Sequence, residues 1–175
     1  AIREALAKYS TFAGSTQTEL QTSGITDLGD VASPDHAEGE ARVASSVRGL
    51  LDEHKILLAL GGDNSITYSV ATGLFPDLSK MGLITFDAHH DLRDGVSNGS
   101  PIWRLIEAGL LGENIVQIGL SDFANSGPYS KRAMDSGITT IHRAELRDRK
   151  MSEVISQALE IAGANGREIY VDIDV

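Results

Sequence analysis

Short apolar runs alternate with amphipathic stretches along most of this 175-residue chain. The apolar runs fit buried strands, and the amphipathic stretches fit helices. The pattern predicts strands at residues 56–60, 81–86, 115–119, 138–141 and 168–174. It predicts helices at residues 1–9, 33 to about 54, 64–74, 100 to about 108, 129–136 and 151–162, with a short strand or turn at 24–31. Continuous apolar strands separated by helices favour an α/β fold, with a mostly parallel sheet covered on both faces.

The composition is that of an ordinary globular protein, and it excludes several classes of function. The net charge of −10 argues against a nucleic-acid partner, because no basic stripe is available to neutralise phosphates. The chain has no cysteine, so metal ligands would be oxygen atoms and imidazoles. No apolar run approaches the ~20 residues that cross a bilayer, and no secretory signal is visible. We therefore expect a cytoplasmic protein without a membrane partner.

Both ends of the chain look cut within a structural element. The first residues begin inside a helical pattern without a preceding cap, and the last residues stop on a strand without a terminating turn. We interpret residues 1–175 as a single domain that is truncated at both ends, with its C-terminal part missing from this chain.

The segment FDAHHD at residues 86–91 carries the clearest chemical signal. Asp87, His89 and Asp91 lie two residues apart, directly after the predicted strand at 81–86. Alternate residues of an extended chain point to the same side, so two carboxylates and one imidazole would converge at one strand end. The simpler alternative is an acidic turn with solvated histidines.

A second pair of carboxylates, Asp172 and Asp174, follows the same spacing in the last predicted strand. In open α/β sheets, ligands bind beyond the carboxyl ends of the strands, where both segments fall. Four carboxylates this close would repel by several kcal/mol at an effective dielectric of about 20, unless protons or cations intervene. Two divalent ions would balance them, and oxygen-rich ligation with one imidazole suits Mn²⁺ better than Zn²⁺ or Cu²⁺.

The segment GGDNS at residues 61–65 follows the predicted strand at 56–60. Asn64 is a candidate neutral oxygen ligand at the same sheet edge. Alternatively, Asp63 or Asn64 caps the following helix. No Gly-Lys-Ser or Gly-Lys-Thr follows, which argues against a phosphate-binding loop.

The segments GGDNS, DAHHD and VDID, in this order on an α/β pattern, resemble the ureohydrolases, the family of arginase, agmatinase and formimidoylglutamase. AIREAL near the start and DLGDV at residues 27–31 also resemble early segments of that family. The resemblance covers essentially the whole chain. It implies a three-layer αβα, arginase-like fold, a binuclear centre with two Mn²⁺ per subunit, and hydrolysis at a guanidinium or formimino carbon by a metal-activated hydroxide.

The resemblance also implies a role for each ligand. Asp87 and Asp172 would each bridge both ions. Asp91 would bind the first ion and orient the hydroxide, which makes it the candidate catalytic residue. His89 and Asp174 would complete the site of the second ion.

Two departures from the family pattern indicate which branch of the family the chain resembles. Asn64 stands where the family usually has a histidine ligand of the first ion, and Asn98 stands where arginases and agmatinases carry a loop histidine. Both changes are most similar to the formimidoylglutamase branch. Its substrate has two carboxylates, and Arg93 in the same loop would pair with one of them. Arg93 and Asn98 are thus candidate substrate-binding residues, although Arg93 is equally compatible with a solvent-facing position.

The leading hypothesis is a manganese-dependent hydrolase of a small linear amidine, formimidoylglutamate, which yields glutamate and formamide in histidine degradation. An agmatinase or guanidino-acid hydrolase that releases urea is the alternative within the same class. A non-catalytic relative with a decayed metal site is the alternative from another class, and Asn64 is the feature that supports it. The resemblance further implies a homo-oligomer, either a trimer or a hexamer, and additional strands and a substrate-binding glutamate after residue 175.

Overall fold

The structure divides into two units, residues 1–30 and residues 31–175. The computed structural model describes residues 2–174 of the chain. In the first unit, the Arg3 guanidinium contacts the carboxylates of Asp27 and Asp30, at 2.5 and 3.0 Å. Its elements are helix α1 (Ile2–Leu6), the antiparallel hairpin of β1 (Phe12–Ala13) and β2 (Thr18–Glu19), and a 3-10 turn at Thr22–Gly24.

The second unit alternates strands with helices around one sheet. Its helices are α2 (His36–Val47), α3 (Leu50–Glu53), α4 (Ile66–Leu74), α5 (Pro101–Glu107), α6 (Gly127–Asp135) and α7 (Met151–Ala162). Its strands are β3 (Met81–Phe86), β4 (Ile115–Leu120), β5 (Thr139–His142) and β6 (Glu168–Ile173). Short 3-10 turns occupy Leu78–Lys80, Gly112–Asn114, Glu145–Arg147 and Ala164–Gly166. The four strands lie in the order β5-β4-β3-β6, and every neighbouring pair is parallel.

Helices cover both faces of this sheet, because successive side chains of its buried strands point to opposite sides. Leu83 belongs to an apolar cluster that contains Ala71 of α4 and Leu105 of α5. The next residue, Ile84, belongs to the opposite cluster, which contains Ala158 of α7. The unit therefore has three layers, helix, sheet and helix, as the sequence predicts.

One ion pair joins three helices on the α4 and α5 face. Arg104 of α5 donates two hydrogen bonds of 2.7 Å to the carboxylate of Glu40 on α2. The same guanidinium lies over the ring of Tyr68 on α4, 3.7 Å from its centroid. The Arg104 and Glu40 side chains are only 12% and 19% exposed. Arg104 therefore links α5 to α2 and α4 through charge-assisted hydrogen bonds and a ring contact.

The predicted strand at residues 56–60 is wrong, because this segment forms no strand. Ile56, Leu58 and Leu60 are exposed, with 86%, 77% and 54% of their surface accessible. An apolar run becomes a strand only where another strand accepts its hydrogen bonds, and none of the four strands of the described sheet pairs with it. Residues 56–60 are apolar, as the pattern requires, but they do not pair with a strand of the described sheet.

The predicted long helix that ends near residue 54 is also wrong, because it divides into α2 and α3. Gly49 separates the two helices and adopts the left-handed conformation, with φ of 76°. Glycine adopts this conformation without steric penalty, and a helix does not continue through it. The first predicted helix ends at Leu6 rather than at residue 9. Residues 24–31, predicted as a short strand or turn, contain no strand. Ala1 lies outside the described residues.

The helices between residues 2 and 174 are short, and the longest, α2 and α7, have 12 residues each. None of them is long and apolar enough to cross a membrane.

Candidate metal centre

Strands β3 and β6 lie side by side, so their carboxyl ends reach the same edge of the sheet. Phe86 pairs with Ile173 in their ladder, and the Asp174 N–H donates to the Phe86 carbonyl at 3.1 Å. On the other side, the Asp87 N–H donates to the carbonyl of Ile118, which lies in β4, at 3.1 Å. The backbone thereby brings Asp87 and Asp174 out of the sheet as neighbours.

Three carboxylates meet at this edge. Asp87, Asp91 and Asp174 each place an oxygen atom within 4.8 Å of the other two. Asp87 and Asp91 are each 8% exposed, whereas Asp174 is exposed. Ionised carboxylates only accept hydrogen bonds, so a group of three this close requires a proton or a cation between its members.

A tight turn returns Asp91 towards Asp87. Asp91 has φ of 54°, in the left-handed region that residues with a side chain rarely adopt. Its carbonyl accepts a hydrogen bond of 3.2 Å from the N–H of Trp103 in α5, which holds the turn against that helix. Strained backbone of this kind costs about 1–3 kcal/mol and is concentrated at functional sites in proteins.

Asn64 and Thr67 connect the start of α4 to this cluster. The Asn64 amide nitrogen donates to Oδ2 of Asp91. The buried Thr67 hydroxyl lies 3.2 Å from Oδ1 of Asn64 and 3.0 Å from Oδ1 of Asp172. Asp172 is therefore tied to the same polar group, although its oxygens are not among the three closest carboxylates. The sequence analysis missed Thr67, and its position three residues after Asn64, at the start of a helix, is the signal that could have found it.

Burial and mutual repulsion raise the pKa values of two of these acids. The pKa of Asp91 rises to about 8, because burial disfavours its charged form and because Asp87 and Asp174 lie close. The pKa of Asp172 rises to about 6, chiefly through burial, with further contributions from the charges of Asp87 and Asp174 and an opposing hydrogen bond from Thr67. Such a donor set favours binding of a divalent cation, which would neutralise the charges that now repel each other.

The two histidines of the loop behave differently. The His89 side chain is 49% exposed, and its Nδ1 lies 3.1 Å from Oδ1 of Asp87, an atom that also accepts the His89 N–H at 2.8 Å. His89 thus stands beside a member of the carboxylate cluster. His90 is only 3% exposed, which contradicts the simpler alternative of solvated histidines for His90 but not for the exposed His89. Burial lowers the pKa of His90, and a hydrogen bond with Gln117 partly opposes that shift.

The candidate substrate-binding residues lie in the exposed loop after Asp91. Arg93 and Asn98 both face solvent. The Arg93 N–H donates to the Gly99 carbonyl at 3.0 Å, and the arginine side chain lies across Gly99. A Cβ atom at position 99 would come within 2.8 Å of Arg93 Cδ, so the glycine permits this close approach.

A comparison with known protein families matches residues 1–175 to the arginase family. The chain belongs to the arginase family. The match extends over the whole sequence, including the three segments that carry the predicted ligands.

Individual members of the arginase family show the same relationship. The chain is 33% identical to the formimidoylglutamase of Halalkalibacterium halodurans over 183 residues, which cover 99% of this chain and 57% of that protein. The solved structure of the Bacillus subtilis formimidoylglutamase superposes with a TM-score of 0.83 and 26% identity, over 99% of this chain and 57% of that one. A formiminoglutamase of Trypanosoma cruzi solved with Mn²⁺ is 20% identical, with a TM-score of 0.80 over 93% and 58% of the two chains, and shares the fold.

These comparisons confirm the predicted family and the arginase-like α/β fold. The chain spans a little over half the length of these relatives. The individual ligand roles, the number of metal ions and the single-domain organisation stay predictions.

Proposed function

We propose that the complete protein containing this chain is a manganese-dependent C–N hydrolase that converts formimidoylglutamate to glutamate and formamide. The observation that carries the proposal is the meeting of Asp87, Asp91 and Asp174 at the ends of two parallel strands, where burial and the neighbouring carboxylates raise the pKa of Asp91. The formimidoylglutamases among the similar proteins support the substrate, and the Mn²⁺ in a relative's structure supports the metal.

Six side chains would together bind two metal ions in each subunit. Oxygen donors with one imidazole are the ligands that Mn²⁺ prefers. When bound, the metal would make a water molecule nucleophilic near neutral pH and stabilise the negative charge that develops during attack. The six are Asn64, Asp87, His89, Asp91, Asp172 and Asp174.

The reaction adds one water molecule across a C–N bond. The water oxygen bonds to the formimino carbon, and the bond from that carbon to the glutamate nitrogen breaks. One water hydrogen goes to the departing nitrogen and the other to the imino nitrogen, which yields glutamate and formamide. We assign to Asp91 the orientation of the attacking water, because its carboxylate is buried in the cluster and fixed by the turn that contains it.

The loop after Asp91 would bind the substrate. Arg93 would pair with one of the two carboxylates of formimidoylglutamate, because a guanidinium forms bidentate, charge-assisted hydrogen bonds with a carboxylate. Asn98 would contribute a neutral hydrogen-bonding group from the same loop. A cationic substrate such as agmatine is disfavoured beside Arg93.

The proposal also covers the cellular location and the oligomeric state of the complete protein. Formimidoylglutamate arises in histidine breakdown, and the cysteine-free sequence is compatible with the cytoplasm. The family resemblance implies a trimer or hexamer, which light scattering of the complete protein would test.

The activity is tested by supplying the complete protein with Mn²⁺ and formimidoylglutamate and measuring formamide. We expect turnover by the wild type, about a hundredfold less by Asp91→Asn, as for loss of reactant positioning, and wild-type turnover by Asp135→Asn, an exposed aspartate paired with Lys131. Urea from agmatine or a guanidino acid, without formamide, would favour the alternative hydrolase. No product, together with fewer than one bound Mn²⁺ per chain, would indicate a decayed metal site.

A further inference from the structure

The second histidine of the metal-ligand loop is held by β4 and α6. His90 Nδ1 lies 2.7 Å from Oε1 of Gln117, and the Gln117 amide nitrogen donates to the His90 carbonyl at 2.9 Å. Because the amide nitrogen is used on the carbonyl, Oε1 accepts the proton of Nδ1. The Nε2 atom then accepts from the Ser130 hydroxyl at 3.2 Å. Gln117, itself 1% exposed, thus holds both the ring and the backbone of His90.

Asn125, just before α6, holds the same stretch of backbone from a second direction. Its Oδ1 accepts the His90 N–H at 2.8 Å, and its amide nitrogen donates to the Ala88 carbonyl at 2.9 Å. The Ser121 N–H reaches the same carbonyl at 3.1 Å. One asparagine side chain thereby sets the separation between two peptide groups of the loop.

Arg132 of α6 holds the end of the loop. Its guanidinium donates to the Leu92 carbonyl at 2.6 Å and pairs with Asp94 at 2.8 Å. It also lies 4.3 Å from the ring centroid of Trp103 and 5.5 Å from that of Tyr129. Two aromatic rings and two oxygen partners hold this arginine in one orientation.

These contacts alternate with the predicted ligands along the chain. The side chains of Asp87, His89 and Asp91 belong to the carboxylate cluster or contact it. The residues between and after them, 88, 90 and 92, have backbone groups that the side chains of Gln117, Asn125 and Arg132 hold. The loop is bent here, with Asp91 at φ of 54°, so this division follows from the particular contacts of each residue.

We propose that Gln117, Asn125 and Arg132, which we call the loop bracket, are positioning residues that hold the metal ligands in place before a cation arrives. This inference rests on the proposed metal site. None of the three is a proposed ligand, and each contacts the backbone of the loop that carries the ligands.

The bracket is needed because the ligands repel each other. Asp87 and Asp91 are buried with carboxylate oxygens within 4.8 Å of each other. When both are ionised, as metal ligands must be, a free loop would relieve their repulsion by moving Asp91 into water. Fixed peptide groups on the far side oppose that movement. A cation then binds ligands that are already in place and avoids the entropy loss of ordering the loop.

The test compares two asparagines whose side chains each hydrogen-bond two backbone groups, Asn125, which is partly buried, and Asn114, which is buried. Asn125→Ala removes a bracket residue. Asn114→Ala removes an amide that donates to the carbonyls of Ser79 and Met81, at the opposite end of β3 from the loop. Mn²⁺ binding is measured on the complete protein by paramagnetic resonance without substrate, and metal-free stability is measured by thermal unfolding. We expect both variants to lose stability and only Asn125→Ala to bind Mn²⁺ more weakly, by about 10- to 100-fold, as for other residues that orient metal ligands.

Equal Mn²⁺ affinity in the two variants would overturn the inference, and so would a wild type that binds no Mn²⁺. If Asn125→Ala does not fold, Arg132→Met provides the same comparison, because this side chain is 26% exposed and its removal disturbs the core less. Selective loss of Mn²⁺ affinity in a protein that releases no formamide would support the bracket and contradict the proposed reaction. The two ideas therefore fail separately.

Discussion

The amide nitrogen of Asn64, rather than its oxygen, faces the carboxylate of Asp91. The amide oxygen faces the Thr67 hydroxyl at 3.2 Å. Only the oxygen of an asparagine can bind a cation, so this side chain would have to rotate its amide group to become a ligand. Position 64 is therefore the weakest of the proposed ligand positions.

Replacing this residue with the histidine usual in the family should strengthen metal binding. Asn64→His supplies an imidazole nitrogen, and we expect Mn²⁺ to bind about tenfold more tightly, which corresponds to about 1.4 kcal/mol. Calorimetric titration of the complete protein measures the change. Asn64→Ala is the control and should bind no more tightly than the wild type. An Asn64→His variant with unchanged affinity and stoichiometry would argue against position 64 as a ligand.

The stability of the metal-free protein should fall as the pH rises. The pKa values of Asp91 and Asp172 are raised, to about 8 and about 6, above the value of 3.8 for an unperturbed aspartate. The folded state therefore binds these protons more tightly than the unfolded state does. Their stabilising contribution is complete below about pH 4 and is lost as the pH rises through about 6 for Asp172 and about 8 for Asp91.

Thermal unfolding in a chelator, between pH 5 and 8, measures this loss. Asp91→Asn removes the larger shift and should flatten the dependence. Adding Mn²⁺ should reverse the trend, because the cation binds the ionised carboxylates and its affinity rises with pH. A wild type and an Asp91→Asn variant with identical pH dependence would contradict the raised pKa of Asp91.

Removing the Thr67 hydroxyl should destabilise the site more than an equivalent change elsewhere on α4. Thr67→Val leaves the Oδ1 atoms of Asn64 and Asp172 without this partner, and we expect a loss of about 1–3 kcal/mol. The control is Thr72→Val, because the Thr72 hydroxyl donates only to backbone carbonyls of its own helix. Urea unfolding of the metal-free protein measures both. Equal losses would assign to Thr67 no role beyond helix packing.

Sequence reasoning located the carboxylates because their signal is local. A buried run such as residues 81–86 identifies a strand, and parallel strands that end at one edge bring Asp87 and Asp174 together. Gln117 and Asn125 carry no comparable signal, since their partners lie 27 to 37 residues away along the chain. A lone polar residue within the apolar strand IVQIGL is the one hint, because a buried amide needs a partner.

The ion pair of Arg104 and Glu40 should stabilise the packing of the helices. Arg104→Met removes two hydrogen bonds and leaves Glu40 mostly buried without its partner, at a cost of about 2 kcal/mol, below the range for fully buried pairs. Arg104→Lys keeps the charge and should recover part of the loss. Chemical denaturation measures both variants. A metal affinity that falls in parallel with this stability would show that the pair also influences the candidate site.

Removing the Arg93 guanidinium should weaken substrate binding without affecting the metal. We expect Arg93→Met to raise KM for formimidoylglutamate about tenfold, as for loss of a hydrogen bond to a charged group, with little change in kcat. Steady-state kinetics measures this, and Mn²⁺ titration serves as the control. Gly99→Ala should act in the same direction, because the added Cβ displaces the arginine side chain. A fall in kcat with unchanged KM would contradict a binding role.

The alternating pattern of residues 87–92 has a practical consequence for altering this site. Positions 87, 89 and 91 are the ones to exchange when a different cation is wanted, because under the proposed function their side chains would bind the ion. Positions 88, 90 and 92 supply the backbone groups that the loop bracket holds, so a substitution that shifts the backbone there would also move the neighbouring predicted ligands. A library intended to change metal preference would randomise positions 87, 89 and 91 and leave positions 88, 90 and 92 unchanged.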